Sequence, residues 1–154
     1  MRIAILGSGN VAKALASGFR QSGHDVVVAS REPGRGDLQE WAASVGVDVG
    51  DHATAADGAE VVCLATAWDG VEGAIALAGS GLDGKVLIDV TNPLVFDGEL
   101  KLGVGHTTSG GEQVQTLAPG ASVVKAFNTV GLELMYRPRF VGSTGTMFIA
   151  GDSS

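Results

Sequence analysis

Residues 7–12 read Gly-Ser-Gly-Asn-Val-Ala, two glycines and a small residue at the spacing G-x-G-x-x-[GA]. Glycine at position 7 permits a sharp turn. Bare backbone at position 9 lets a bulky anion come close, and alanine at position 12 keeps a following helix tight against the preceding strand. The free N–H groups and positive end of a helix starting here would face a pyrophosphate, with Ser8, Gly9, Asn10 and Val11 nearest to it. The same pattern also occurs as a plain structural turn. A second group follows at Ser30-Arg31, with Arg35 four residues on. Sites for NAD usually place an acidic residue there, bonded to the ribose 2′-hydroxyl. Serine and arginine suit a 2′-phosphate instead, which predicts NADP(H), with NADPH bound at least about tenfold tighter than NADH. Glu32, the nearby acid, lies one step beyond the usual place.

Polar or aromatic residues also follow three later apolar runs: Thr66 and Trp68, Asn92, and Asn128. Thr66 and Trp68 fit a path from adenosine to nicotinamide, and Asn92 a contact to the ribose or the nicotinamide amide. Turn or cap roles explain each one equally well, above all at Asn92-Pro93, and Trp68 reads equally as a core-edge residue. Of the histidines, His106 is the one placed to reach a pocket; His24 precedes a strand and His52 sits in a connecting segment. Asp89 closes a strand, facing a helix terminus or the cofactor cleft. Cys63 is a mid-strand apolar residue. No nucleophile–base pairing and no metal-ligand spacing stands out, so neither a catalytic residue nor a metal site is predicted.

The elements that must carry these residues follow from periodicity. Residues 2–6 form a short apolar strand. Val11, Leu15 and Phe19 then mark a helical stripe that Gly23 ends, and 25–29 form a second strand. Strand, glycine turn, helix and strand within about thirty residues make a βαβ unit. Further strands are predicted at 60–65, 85–90, 122–127 and 146–150, with helices at 37–45, 69–77 and 111–117. A short helix or turn is expected at 51–58, a helical turn at 132–136 and a loop over 94–108. Six apolar strands alternating with helices predict an α/β fold, a Rossmann-like doubly wound parallel sheet, with residues 1–154 as one NADP(H)-binding domain.

Composition agrees. The chain has 154 residues, 10 Lys and Arg against 17 Asp and Glu, and a formal net charge of −7. That excludes a basic nucleic-acid-binding surface while leaving room for a small anionic ligand held by a few local cations. One cysteine excludes an intramolecular disulfide. No apolar run approaches the roughly 18–20 residues of a membrane span, and the N-terminus lacks signal-peptide features, so a cytoplasmic protein is expected. The 24 glycines, about twice the usual share, fall at the phosphate turn and between elements.

Four segments carry a family resemblance: Met1–Ala12 (MRIAILGSGNVA), Ala29–Pro33 (ASREP), Asp89–Leu94 (DVTNPL) and Val123–Val130 (VVKAFNTV). Together they resemble the coenzyme-F420-dependent NADP oxidoreductase family, to which the cytoplasmic domain of metalloreductases is related. The resemblance covers residues 1 to about 151. It implies NADP(H) along the glycine turn, with Ser8, Gly9, Asn10 and Val11 at the pyrophosphate. Ser30, Arg31 and Arg35 are implied at the 2′-phosphate, and Trp68 near the cofactor. The implied reaction is direct hydride transfer between nicotinamide and a deazaflavin (F420) or flavin carrier, with the protein supplying orientation rather than a nucleophile. F420-using members commonly have His where this sequence has Asn128; the Asn form is more similar to the wider bacterial and metalloreductase branches. Family members continue into a C-terminal segment that helps form the acceptor pocket and the dimer, and the resemblance implies that this segment is missing here. The alternatives are an NADP(H)-binding module without its own acceptor site and an NADPH-dependent reductase of a small imine or carbonyl compound. A homodimer acting on small-molecule redox cofactors is expected.

Overall fold

Arg2–Leu6 forms strand β1, and the glycine turn leads straight into helix α1 (Asn10–Gln21). Strand β2 (Asp25–Ala29) returns parallel to β1. The later elements are α2 (Gly36–Val45), β3 (Asp48–Gly50), α3 (His52–Asp57), β4 (Val61–Leu64), α4 (Val71–Ala78), β5 (Val86–Asp89), β6 (Leu94–Phe96), β7 (Leu100–Leu102), α5 (Gly110–Leu117) and β8 (Ser122–Lys125). Short 3-10 turns occupy Trp68–Gly70, Gly79–Leu82 and Leu132–Leu134. The computed structural model describes residues 1–139, 142 and 145–152; residues 153 and 154 of the expected domain lie outside the described residues.

Six parallel strands lie in the order β3-β2-β1-β4-β5-β8. The chain therefore winds outward in one direction from β1 and in the other from β4, a Rossmann-like doubly wound sheet whose switch point falls between those two strands. The apolar strands require cover on both faces, and β1 shows how they receive it. Ala4 and Leu6 point into one cluster with Ala55 of α3, Ile75 of α4 and Val114 of α5. Ile3 and Ile5 point into the other with Leu15 of α1 and Leu38 of α2. Leu6, Leu64 and Leu87 are fully buried, each contributing about 1.5–3 kcal/mol.

Three expectations are corrected. Thr146–Ala150 is not a sixth parallel strand. Only Ala150 pairs, as an antiparallel bridge to Lys125, and Phe148 and Ile149 are exposed. Among the described residues between β8 and this segment there is a 3-10 turn but no crossover helix of the kind a parallel return uses. The sixth strand is instead β3, whose Asp-Val-Gly sequence carries too little apolar pattern to be read as one. Residues 94–108 contain the β6–β7 antiparallel hairpin, with Gly98 at φ +71° between its strands.

Candidate functional site

The switch point brings the glycine turn against the end of β4. Gly7 has φ +123°, and a Cβ there would collide with the Ala65 carbonyl oxygen, so only glycine makes this turn without strain. Gly9 differs. Its φ of −78° suits any residue, and nothing lies within 4 Å of where its Cβ would stand. Glycine at position 9 thus leaves open space rather than serving the fold. Helix α1 starts at this opening with no side-chain cap and no acidic residue in its first turn, so its N–H groups and dipole are left to a ligand.

A cavity of about 660 Å³ runs from this turn across the strand ends, lined by Gly7, Ser8, Gly9, Ser30, Arg31 and Arg35 together with His52 and Thr66. Ser30 is buried, and its hydroxyl accepts from the Glu32 N–H at 3.1 Å. Arg31 is exposed at the rim. Arg35 is engaged by the Asp37 carboxylate at 2.5 Å, and this guanidinium, hydrogen-bonded to Asp37, holds that acid below its ordinary range. Thr66 Oγ1 is buried and has no hydrogen-bond partner among the described residues. A buried hydroxyl with no partner calls for one from a ligand or water. Open backbone, an unpartnered hydroxyl and rim cations fit a phosphorylated dinucleotide.

Asn92 and Asn128 stand elsewhere. They line a second cavity of about 500 Å³ between the ends of β5 and β8 and the start of α5. The Asn92 amide donates to the Asn128 carbonyl at 3.0 Å. Phe127 precedes Asn128 with φ +65°, a left-handed conformation costing about 1–3 kcal/mol in a bulky residue. The packing of Phe127 against the α1–α2 core cluster holds it there. Trp68 itself lines neither cavity: its ring packs, partly buried, against the core cluster that holds Ile75 and Val114. Its neighbours Ala67 and Asp69 line the first cavity, and a Cβ on Gly110, which lines the second, would meet the ring at 3.4 Å. Asn10 and Val11 line neither; Asn10 is exposed on the first turn of α1, and Val11 packs partly into the core.

A family model described as "NADP oxidoreductase coenzyme F420-dependent" matches residues 2–93. The chain belongs to this family. It is similar to a solved structure from Arthrobacter sp. FB24, provisionally named an F420-dependent NADP reductase. The identity is 35% and the TM-score 0.93, over 100% of this chain and 74% of that one. A hypothetical protein from Sinorhizobium meliloti matches at 29% identity and TM-score 0.79, over 100% and 75% of the two chains. The metalloreductase STEAP3 of Rattus norvegicus is 35% identical over 131 residues, which span 84% of this chain and 25% of that protein.

In this family member two residues that the sequence did not place at a pocket, His52 and Lys125, line the cavities. His52, expected in a mere connecting segment, lines the first cavity because it opens α3 two residues after the end of β3. Burial, the largest cause, holds its imidazole below the usual range; Asp51 opposes that and Arg31 adds to it. His106, expected near a pocket, is exposed and lines neither cavity. Lys125 lines the second cavity and pairs in register with Asp89. Its ammonium donates to Asp89 Oδ2 at 2.9 Å and to the Thr91 carbonyl. Asp89, fully buried, also accepts from the Thr91 N–H at 2.9 Å and the Thr91 hydroxyl at 2.7 Å. The lysine signal was present in the Val-Val-Lys-Ala-Phe-Asn-Thr segment, but its partner emerges only from strand register.

Proposed function

We propose that this protein is an NADP(H)-dependent oxidoreductase that passes hydride between the nicotinamide and a deazaflavin (F420) or flavin carrier. The observation that carries the reading is the first cavity, where the bare backbone at Gly9, the uncapped start of α1 and the unpartnered Thr66 hydroxyl lie with Ser30 and Arg31; a second cavity lies at the ends of β5 and β8. A bound nicotinamide would supply the hydride chemistry. The residues of this chain bind and orient. Gly9 and the start of α1 receive the pyrophosphate, with Ser8, Asn10 and Val11 around it. Ser30, Arg31 and Arg35 take the 2′-phosphate, and Thr66 Oγ1 takes the hydrogen bond it lacks. Trp68 bounds the nicotinamide end, and Asn92 and Asn128 face the second carrier.

Residues 1–154 act in this reading as one NADP(H)-binding unit. The chain spans a quarter of the curated metalloreductase it matches; the carrier is proposed from the family match and the similarity to the Arthrobacter structure. Among the described residues no helix is long and apolar enough to cross a membrane. Exposed Phe96, Leu100, Leu102, Phe148 and Ile149 support a homodimer, and a cytoplasmic location agrees with small redox partners. Anaerobic stopped-flow with NADPH and F420, FMN, FAD or riboflavin tests the reading. Loss of the reduced-nicotinamide band with one of these carriers is expected. Tight NADPH binding with no oxidation by any of them would instead make the chain an NADP(H)-binding module.

A further inference from the structure

The first cavity contains a titratable side chain that the cofactor contacts above leave unused. His52 is only 5% exposed and shares the cavity with Ser30, Arg31 and Arg35. Its place is fixed by the sheet edge. The Ser30 N–H donates to the Gly50 carbonyl at 3.0 Å, tying the end of β2 to the end of β3, and His52 follows two residues later. The ring is therefore built into the end of the cavity where Ser30 and Arg31 gather.

We propose that His52 is a specificity-determining contact for the 2′-phosphate of NADP(H), taking up a proton as the phosphate binds. The proposal rests on the NADP(H) reading above. The groups facing the ring come from several elements. Asp51 precedes it, but that carboxylate is engaged by the Thr54 N–H and hydroxyl, both at 2.9 Å. Arg31, Glu32 and Arg35 enter from the β2–α2 connection, and Asp69 from the 3-10 turn across the cavity. The charge of Arg35 is partly compensated by Asp37, so Arg31 and His52 take a larger share of the charge of an incoming phosphate. Without ligand, burial and Arg31 favour the neutral ring. A dianion in the same partly enclosed space reverses that balance, because an opposite charge a few ångströms away favours the protonated form. The protonated ring then gives a charge-assisted hydrogen bond that NAD(H), lacking the phosphate, does not receive.

Calorimetric titration of NADP+ and NAD+, in buffers of different ionisation enthalpy, tests this on the wild type and on His52→Asn. Wild type should take up more protons with NADP+ than the variant does. The variant should lose about tenfold in NADP+ affinity near pH 6 and less than about twofold near pH 8.5, with NAD+ unchanged at both. Equal proton uptake and equal pH dependence in the two proteins would overturn the inference. So would equal losses for NADP+ and NAD+, which would place the ring on the shared part of the nucleotide. In the wild type itself, the His52 ring resonance should titrate at higher pH with NADP+ than with NAD+ or without ligand; no such rise would overturn it without relying on a variant. Failure of NADP+ to bind the wild type would refute the NADP(H) reading itself, whereas binding without extra proton uptake would refute only the role of His52.

Discussion

Gly9→Ala should leave the fold intact and remove tight nucleotide binding. The backbone at position 9, φ −78° and ψ −175°, is one that alanine adopts freely, and the added methyl meets nothing within 4 Å. Restricting the unfolded chain stabilises by about 0.4–1 kcal/mol, and alanine as a poorer helix N-cap than glycine costs about 0.5–1 kcal/mol. Net stability should therefore stay within about 0.5 kcal/mol of wild type. Binding differs, because the methyl stands in the space through which a pyrophosphate reaches the first turn of α1. Loss of two charge-assisted hydrogen bonds at about 1.5 kcal/mol each or more amounts to about 3 kcal/mol, roughly a hundredfold in affinity. Gly7→Ala is the contrast: φ +123° and collision with the Ala65 carbonyl should cost well over about 1 kcal/mol of stability. Urea unfolding and calorimetric titration of NADPH on the same samples separate the two effects. A Gly9→Ala protein that binds NADPH within about threefold of wild type would refute the assignment of this turn to the pyrophosphate.

Further outcomes follow from other contacts. Arg31→Ala should weaken NADPH by about tenfold and leave NADH unchanged in titration calorimetry. Lys125→Met leaves the buried Asp89 carboxylate without its cation and should cost about 3–5 kcal/mol in urea unfolding; adding Asp89→Asn should recover part of that loss. Burial pushes the Cys63 thiol up to about 12, so the native protein should resist alkylation at neutral pH and react once unfolded. Hydrogen bonds from Thr54 hold Asp51, and those from Ser109 hold Glu112, below their ordinary ranges. Both therefore stabilise the fold above their unfolded-state values, and that contribution should fade as pH falls below about 4. Asp51→Asn/Glu112→Gln should flatten this part of the stability–pH curve measured by urea unfolding.

The first thirty residues were legible because each local signal agreed with the tertiary outcome. An apolar strand, a glycine turn, a four-residue stripe and a second apolar strand leave one arrangement, and Ser30 and Arg31 fall at its cavity by position alone. What escaped depends on pairing between distant segments. Strand β3 has only Val49 as an apolar residue, so nothing local marks it as the sheet edge, and His52 was misplaced with it. Asp89 and Lys125 are neighbours because β5 and β8 align in register, a fact without a trace in either segment. Met147-Phe148-Ile149 misled in the opposite way. Its apolar run reads as a buried strand, yet Phe148 and Ile149 lie exposed, since hydrophobicity alone does not say what will cover it.

The account rests on a dinucleotide whose 2′-phosphate sits at the Ser30–Arg31 end of the first cavity. Side-by-side calorimetric titration of NADPH and NADH into the wild-type protein tests that most directly. The structure predicts NADPH bound at least about tenfold tighter, and equal affinities for the two nucleotides would contradict it.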